Sequence, residues 1–239
     1  MNNNFLSTSF NSLISQLWDR NVIIRAKDLE SGSDYTYNQV IRPWVLEQLK
    51  INTKTSDLVL DIGSGCGFLT NAVYNSGWNH VVGIDISKRS IEYSQKKYPQ
   101  IEFIHQDIYK MQTGNEYNVC IAVMAVNNMP NADAFFAKVN ECLGINGKLI
   151  LVLPHPCFWP TKHIDNSQFC YDKEAGYCKR FKTKGRGDYE SNVLFYHRPV
   201  EQYLFLLRKH NFEITTFTEI MENENDEFPD ILGIVAIKQ

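Results

Sequence analysis

Apolar residues along this chain fall into two rhythms that alternate with each other. The first helical rhythm, with spacings of three and four, runs through Phe5, Leu6, Phe10, Leu13, Ile14, Leu17 and Trp18 and predicts a short amphipathic helix over 5–19. A second helical stretch, Tyr37 to Leu49, contains Pro43, which starts or interrupts it. Short apolar runs then alternate with helical segments. The pattern predicts strand Leu58 to Asp61, helix 68–76, strand Val81 to Asp85, helix Ser87 to Lys97 with Ser87 as N-cap, and strand Ile101 to His105. It continues with strand Tyr117 to Met124, helix Asp133 to Cys142 ending at Gly144, and strand Lys148 to Leu153 closed by Pro154. Strands separated by helices at this spacing predict a doubly wound α/β domain with a mainly parallel sheet and right-handed crossovers.

From His155 to Asn192 the rhythm stops, and Pro156, Pro160, Gly176, Gly185 and Gly187 stand among aromatic residues. It resumes as a helix over Val200 to Lys209. Two apolar runs, Phe212 to Phe217 and Ile231 to Ile237, joined by an acidic loop, predict an antiparallel hairpin that completes the sheet. The reading is therefore one domain over 1–239, with a helical N-terminal cap over 1–50 and an insertion over 155–195.

The chemistry concentrates where the first strand ends. Val59-Leu60-Asp61-Ile62 runs into Gly63-Ser64-Gly65-Cys66-Gly67, an acidic residue followed by glycines at every second position, and a helix follows. Residues without a Cβ allow a tight turn at positive φ and bring the backbone close to a ligand at a helix N-terminus, so the loop points to a nucleotide. The second strand, Val81 to Asp85, ends in a carboxylate placed to accept both hydroxyls of a ribose. The third ends in a similarly placed one, Asp107, where an exocyclic adenine amine requires an acceptor. The GxGxxG spacing of the NAD-binding turn is absent.

Composition narrows the partners. A net charge of −3 and a pI of about 6.1 give no global basic field for nucleic acid or an anionic membrane. No basic n-region with an apolar core opens the chain, and no apolar run approaches the length of a membrane span, so a cytoplasmic location is expected. The six cysteines contain no CxxC pair, and Cys66, Cys120 and Cys142 lie within predicted elements, which reads as free thiols.

The set Asp61-Ile62-Gly63-Ser64-Gly65-Cys66-Gly67, Asp85-Ile86 and Asp107-Ile108 resembles the class I S-adenosylmethionine-dependent methyltransferases, from about residue 37 to the C-terminus. Tyr196-His197-Arg198-Pro199-Val200 and the helix after it are similar to small-molecule members. The resemblance implies a Rossmann-like, seven-stranded sheet of order 3-2-1-4-5-7-6, with S-adenosylmethionine as cofactor and S-adenosylhomocysteine as product. It implies that Asp61, Gly63, Gly65 and Gly67 take the methionine and ribose, that Asp85 and Ile86 take the ribose, and that Asp107 and Ile108 take the adenine. It also implies that Ala122 to Met124 touch the methionine moiety, that Tyr35 and Tyr37 close the cofactor side, and that Asn127 meets the acceptor.

Methyl transfer from a sulfonium is an in-line displacement that positioning and exclusion of water largely accelerate; a base is needed only for a protonated acceptor. The candidate groups are Asn127, His155 and His197, with His155 as base because an ordinary imidazole titrates near 6.5. The dense aromatics of 155–195, including Phe158, Trp159, Phe195 and Tyr196, suit a lid over a small-molecule acceptor. Two side readings stay open: His155, Cys157, His163, Cys170 and Cys178 as soft zinc ligands at irregular spacing, with no metal expected, and Tyr177 to Arg186 as a basic, aromatic nucleic-acid surface. The alternatives are an RNA or protein methyltransferase, or a cofactor-binding scaffold without activity. Oligomeric state is not encoded in any feature of the sequence.

Overall fold

The computed structural model describes residues 3–114, 116–164, 169–179, 192–223 and 225–239. α1 covers Asn3–Glu30, well past the helix expected over 5–19. Buried Asn21 and Asp28 interrupt the apolar stripe and hide this continuation in the sequence, while Val22 and Ala26 pack on Cys66, Phe68 and Tyr93. A π-helical turn, Thr36–Ile41, leads into α2 (Arg42–Lys50), so Pro43 stands in the first turn of α2, where its missing N–H costs nothing.

The alternating part follows as β1 (Val59–Ile62), α3 (Phe68–Asn75), β2 (Val81–Asp85), α4 (Lys88–Lys97), β3 (Glu102–His105), β4 (Tyr117–Val123), α5 (Ala132–Cys142) and β5 (Leu143–Pro154). The Ser87 hydroxyl caps α4 by accepting from the Ser90 N–H at 3.1 Å, and the Asn131 side chain caps α5 from the Ala134 N–H at 2.9 Å. β5 begins five residues before the expected Lys148, because Leu143 pairs with Tyr117, with a register shift in the ladder between Tyr117 and Val119.

α6 (Trp159–His163), β6 (Ala175–Lys179) and β7 (Val193–His197) fall where sequence periodicity is lost. β6 and β7 form a separate antiparallel pair, Ala175 opposite His197 and Lys179 opposite Val193. The basic run Tyr177 to Arg186 lies, beyond Lys179, outside the described residues. α7 (Val200–Lys209), β8 (Phe212–Ile220) and β9 (Ile231–Lys238) end the chain.

The main sheet has the order β3-β2-β1-β4-β5-β9-β8, parallel through β5, with β9 antiparallel to both β5 and β8. With the β6–β7 pair set aside, this is the seven-stranded order that the resemblance implies. Both faces are buried, which is why the central strands read as unbroken apolar runs. Leu60, Ile62, Cys120, Ala122, Leu149 and Leu151 pack under α5 and α7, while Val59, Val119, Ile121, Ile150 and Val152 pack under α2, α3 and α4. The chain reverses strand order between β1 and β4, so their carboxyl ends open the crevice in which ligands of open α/β sheets sit. Among the described residues no helix is long and apolar enough to cross a membrane.

Candidate functional site

The loop after β1 turns through three left-handed glycines, Gly63 at φ 75°, Gly65 at 53° and Gly67 at 77°. The Gly63 and Ser64 N–H groups donate to the Ile84 carbonyl at 2.8 and 2.9 Å, which binds the loop to the end of β2. A Cβ on Gly63 would stand 2.8 Å from the Ala125 Cβ, whereas one on Gly65 would meet nothing within 4 Å. Gly63 thus lets the loop lie against the chain leaving β4, and Gly65 faces open space.

Three carboxylates flank this loop. Asp61 is buried and accepts from the Thr70 hydroxyl at 2.7 Å; burial pushes its carboxyl up to about 7, with Thr70 opposing and the nearby Asp85 adding to the rise. Asp85 accepts from the Gly65 N–H at 2.9 Å and the Ser87 N–H at 2.7 Å, and burial raises its carboxyl against those two bonds. Asp107 accepts from the Tyr109 N–H at 3.1 Å and so caps the short 3-10 turn Ile108–Lys110. The Thr70 hydroxyl for Asp61 and backbone N–H groups for Asp85 and Asp107 hold all three at the carboxyl ends of neighbouring strands.

Beyond β4 the chain is strained. Met124 takes a left-handed φ of 52°, rare for a long side chain, and the Asn128 side chain donates to its carbonyl at 2.7 Å. Asn127 follows in the 3-10 turn Val126–Asn128, and its buried Oδ1 has no hydrogen-bond partner among the described residues. The buried Ser64 Oγ and Tyr37 hydroxyl are likewise without a partner among those residues. All three residues line one cavity.

That cavity, about 650 Å³, runs from the glycine loop to the segment after β5. α1 forms its outer wall through Ile14, Trp18, Val22 and Arg25. The helix is fastened over the glycine-loop end: the Ser15 hydroxyl donates to the Ile86 carbonyl at 2.8 Å, and the Asp19 carboxylate accepts from the Ser87 hydroxyl at 2.6 Å. Arg25 pairs with Asp34, which also accepts from the Tyr37 N–H at 2.9 Å. At the far end Trp159 stacks on His163 at 4.4 Å and packs on Phe195 at 4.6 Å, and Lys162 pairs with Asp230 at 2.7 Å.

Of the residues singled out in the sequence, Asp61, Gly63, Gly65, Asp85, Ile86, Asp107, Ile108 and Asn127 line this cavity. The others do not. Gly67 packs against Phe103 and Ser94, Ala122 is fully buried in β4 while Val123 and Met124 reach the cavity, and exposed Tyr35 gives way to Tyr37. His155 is buried beside Glu219, which its Nε2 meets at 3.0 Å, and His197 is buried with Nε2 at 2.8 Å from the Tyr171 carbonyl. Burial lowers both imidazoles below their ordinary value, and neither side chain lines the cavity. The base role expected of His155 and the chemical role of His197 therefore have no geometric support: strand ends gave the right rim, but both rings turn into the fold.

Sequence reading passed over Arg25, Trp18, Lys162, Glu222 and Asp230, which reach the cavity only through α1, α6 and the β8–β9 connection. The aromatic density of 155–195 was the signal for Trp159 and Phe195. Among the described residues no three His, Cys, Asp or Glu side chains converge as a metal set; the Cys157 backbone N–H donates to His155 Nδ1 at 3.2 Å, and the Cys170 thiol bonds Asp172.

The donor set fits an S-adenosyl group. Gly65 offers an open backbone surface, Asp85 a carboxylate fixed by two N–H groups, and Asp107 a second one a strand further on. Ser64 and Tyr37 add buried polar atoms that lack partners among the described residues.

Comparisons with known proteins agree with this geometry. Residues 59–147 match the methyltransferase domain family. A Listeria monocytogenes protein assigned to the S-adenosylmethionine-dependent methyltransferases superposes with a TM-score of 0.67 at 25% identity, over 84% of this chain and 100% of that one. A Burkholderia thailandensis 1,6-didemethyltoxoflavin-N1-methyltransferase, solved with 1,6-didemethyltoxoflavin and S-adenosylhomocysteine, shares the fold with a TM-score of 0.60 at 14% identity, over 90% of this chain and 85% of that one. In sequence, a ribosomal RNA small subunit methyltransferase A from Cytophaga hutchinsonii is 30% identical over 101 residues. That match takes in 41% of this chain, and the chain spans only 38% of that relative's length.

Proposed function

We propose that the chain is a class I S-adenosylmethionine-dependent methyltransferase that methylates a small-molecule acceptor held between Asn127 and the Trp159–Phe195 wall. One observation carries this reading: the glycine loop and the aromatic wall line the same cavity, and α1 covers its outer side. A cavity of this size matches those that take up cofactors and small ligands. The Burkholderia thailandensis enzyme, solved with 1,6-didemethyltoxoflavin, has the same fold.

When bound, the cofactor supplies an electrophilic methyl group on a sulfonium. Everything else is done by the chain. Asp85 is aimed by the Gly65 and Ser87 N–H groups to accept the ribose hydroxyls, and Asp107 stands toward the adenine. Gly63 and Gly65 leave backbone room for the methionyl part. Asn127 Oδ1 accepts a hydrogen bond from the acceptor and orients its nucleophile, while α1, Trp159 and Phe195 keep water out, which strengthens every polar contact inside. With His155 and His197 turned away, a nucleophile that carries a proton gives it up to a carboxylate lining the cavity. In this reading residues 1–50 act as the cap over the cofactor and 155–195 as the wall over the acceptor.

The ribosomal RNA match favours a second reading, an RNA acceptor. Incubating the protein with methyl-labelled S-adenosylmethionine and, separately, a deproteinised metabolite extract, ribosomal subunits and a protein extract decides between them. Label in the small-molecule fraction is the expected result. Label confined to RNA or protein overturns the acceptor class. Tight S-adenosylhomocysteine binding without transfer to any fraction identifies a scaffold.

A further inference from the structure

The Arg198 side chain is fully shielded from solvent, between β7 and α7, and it does not line the cavity. Its guanidinium nevertheless reaches the turn that carries Asn127. One terminal nitrogen donates to the Val126 carbonyl at 3.3 Å and the other to the Met129 carbonyl at 2.7 Å, so the fork brackets Asn127 and Asn128 from behind. The remaining nitrogen, Nε, donates to Glu174 Oε1 at 2.7 Å, on the residue that precedes β6. The guanidinium also lies 5.5 Å from the Tyr196 ring centroid. A planar, permanently charged group with fixed donor directions can hold two carbonyls and a carboxylate at once; a lysine ammonium, a point charge, cannot reproduce that geometry.

We propose that Arg198 is a positioning residue for the acceptor: it fixes the Val126–Met129 turn so that Asn127 Oδ1 faces the cavity, and through Glu174 it ties the β6–β7 pair to that turn. This rests on the reading that the Asn127 end of the cavity takes the acceptor, but the link between Arg198 and the turn is testable without any acceptor. Left-handed Met124 stands at one end of the turn, and the turn's own backbone bonds are few: Asn128 N–H to the Ala125 carbonyl at 2.9 Å and Met129 N–H to the Val126 carbonyl at 3.1 Å. Few local bonds around a strained residue make an outside brace effective.

Glu174 gives the cleaner perturbation, because its side chain is 46% exposed and its loss leaves no cavity in the core. The test compares wild type, Glu174→Gln and Arg198→Lys by amide hydrogen exchange, thermal unfolding and calorimetric titration of S-adenosylhomocysteine. In both variants exchange over 125–130 should accelerate at least fivefold, while S-adenosylhomocysteine affinity changes less than threefold. Glu174→Gln should keep the wild-type melting temperature. Unchanged exchange over 125–130 in the two variants overturns the proposal. So does acceleration spread evenly over the sheet, which makes Arg198 an ordinary support of the fold. If the labelled-donor experiment yields an acceptor, Arg198→Lys should raise its KM at least fivefold with kcat within twofold. A fall in kcat at constant KM, the mark of a smaller active fraction, also refutes the proposal. Failure of the parent reading shows separately, in the labelled-donor experiment, as label confined to RNA or protein or transferred to no fraction.

Discussion

Replacing Gly63 and Gly65 separately with alanine divides one loop into a packing site and a ligand site. Both glycines lie at positive φ, so each alanine carries a backbone cost of about 1–2 kcal/mol. At Gly65 the cost ends there, because a Cβ meets nothing within 4 Å. At Gly63 the new methyl would lie 2.8 Å from the Ala125 Cβ, and relieving it moves either the loop or the chain after β4, an overpacking cost of about 1–3 kcal/mol more. Urea unfolding should thus place Gly63→Ala about 1–3 kcal/mol below Gly65→Ala in stability. In a chain of this size that corresponds to roughly 2–4 °C of melting temperature per kcal/mol. Binding should rank the pair in reverse. The Gly65 methyl projects into the cavity and should weaken S-adenosylhomocysteine by at least about tenfold in calorimetry, since about 1.4 kcal/mol of lost contact is a factor of ten. Equal stabilities would refute the close approach to Ala125, and wild-type affinity in Gly65→Ala would refute the placement of the cofactor over this glycine.

Asp85→Ala should weaken S-adenosylhomocysteine about 10- to 100-fold by calorimetry, the range expected for losing a hydrogen bond to a charged group; unchanged affinity removes Asp85 from the ribose site. Asp61 has a folded-state carboxyl raised to about 7 from an ordinary 3.8, so the folded state holds a proton that the unfolded state releases, and this residue makes stability fall as pH rises from about 4 to 7. Asp61→Asn should flatten that part of the urea-midpoint profile and stabilise the protein above pH 7; a profile with the wild-type slope contradicts the assignment. Ser87→Ala removes the α4 cap and the Asp19 contact, so the melting temperature should drop by roughly 2–4 °C for about 1 kcal/mol, read by calorimetry; no shift would show that the cap contributes nothing.

The cofactor half of the site was legible because its signals are local. A glycine's left-handed turn, a serine N-cap and a carboxylate closing a strand are each fixed by a few neighbouring residues, so Gly63, Gly65, Asp85, Asp107 and Ser87 could be placed from the sequence. The acceptor half was not. His155 and His197 stand at plausible rim positions, yet the direction of a ring depends on packing against Glu219 and Tyr171, residues far away in the chain. The same holds for α1 beyond residue 19, whose buried Asn21 and Asp28 break the stripe that marks a helix face.

By itself, then, the sequence determined the alternating architecture, which follows from backbone propensity and short-range spacing, and its resemblance to the class I methyltransferases implied the donor. The tertiary structure decided what lines the rest of the cavity. Arg25 and Trp18 arrive from α1, Trp159 and Lys162 from α6, Asp230 from the entry to β9, and the brace on Asn127 from Arg198. These groups meet only where the reversal between β1 and β4 opens a crevice, and no local pattern records which distant side chains the packed core directs into it.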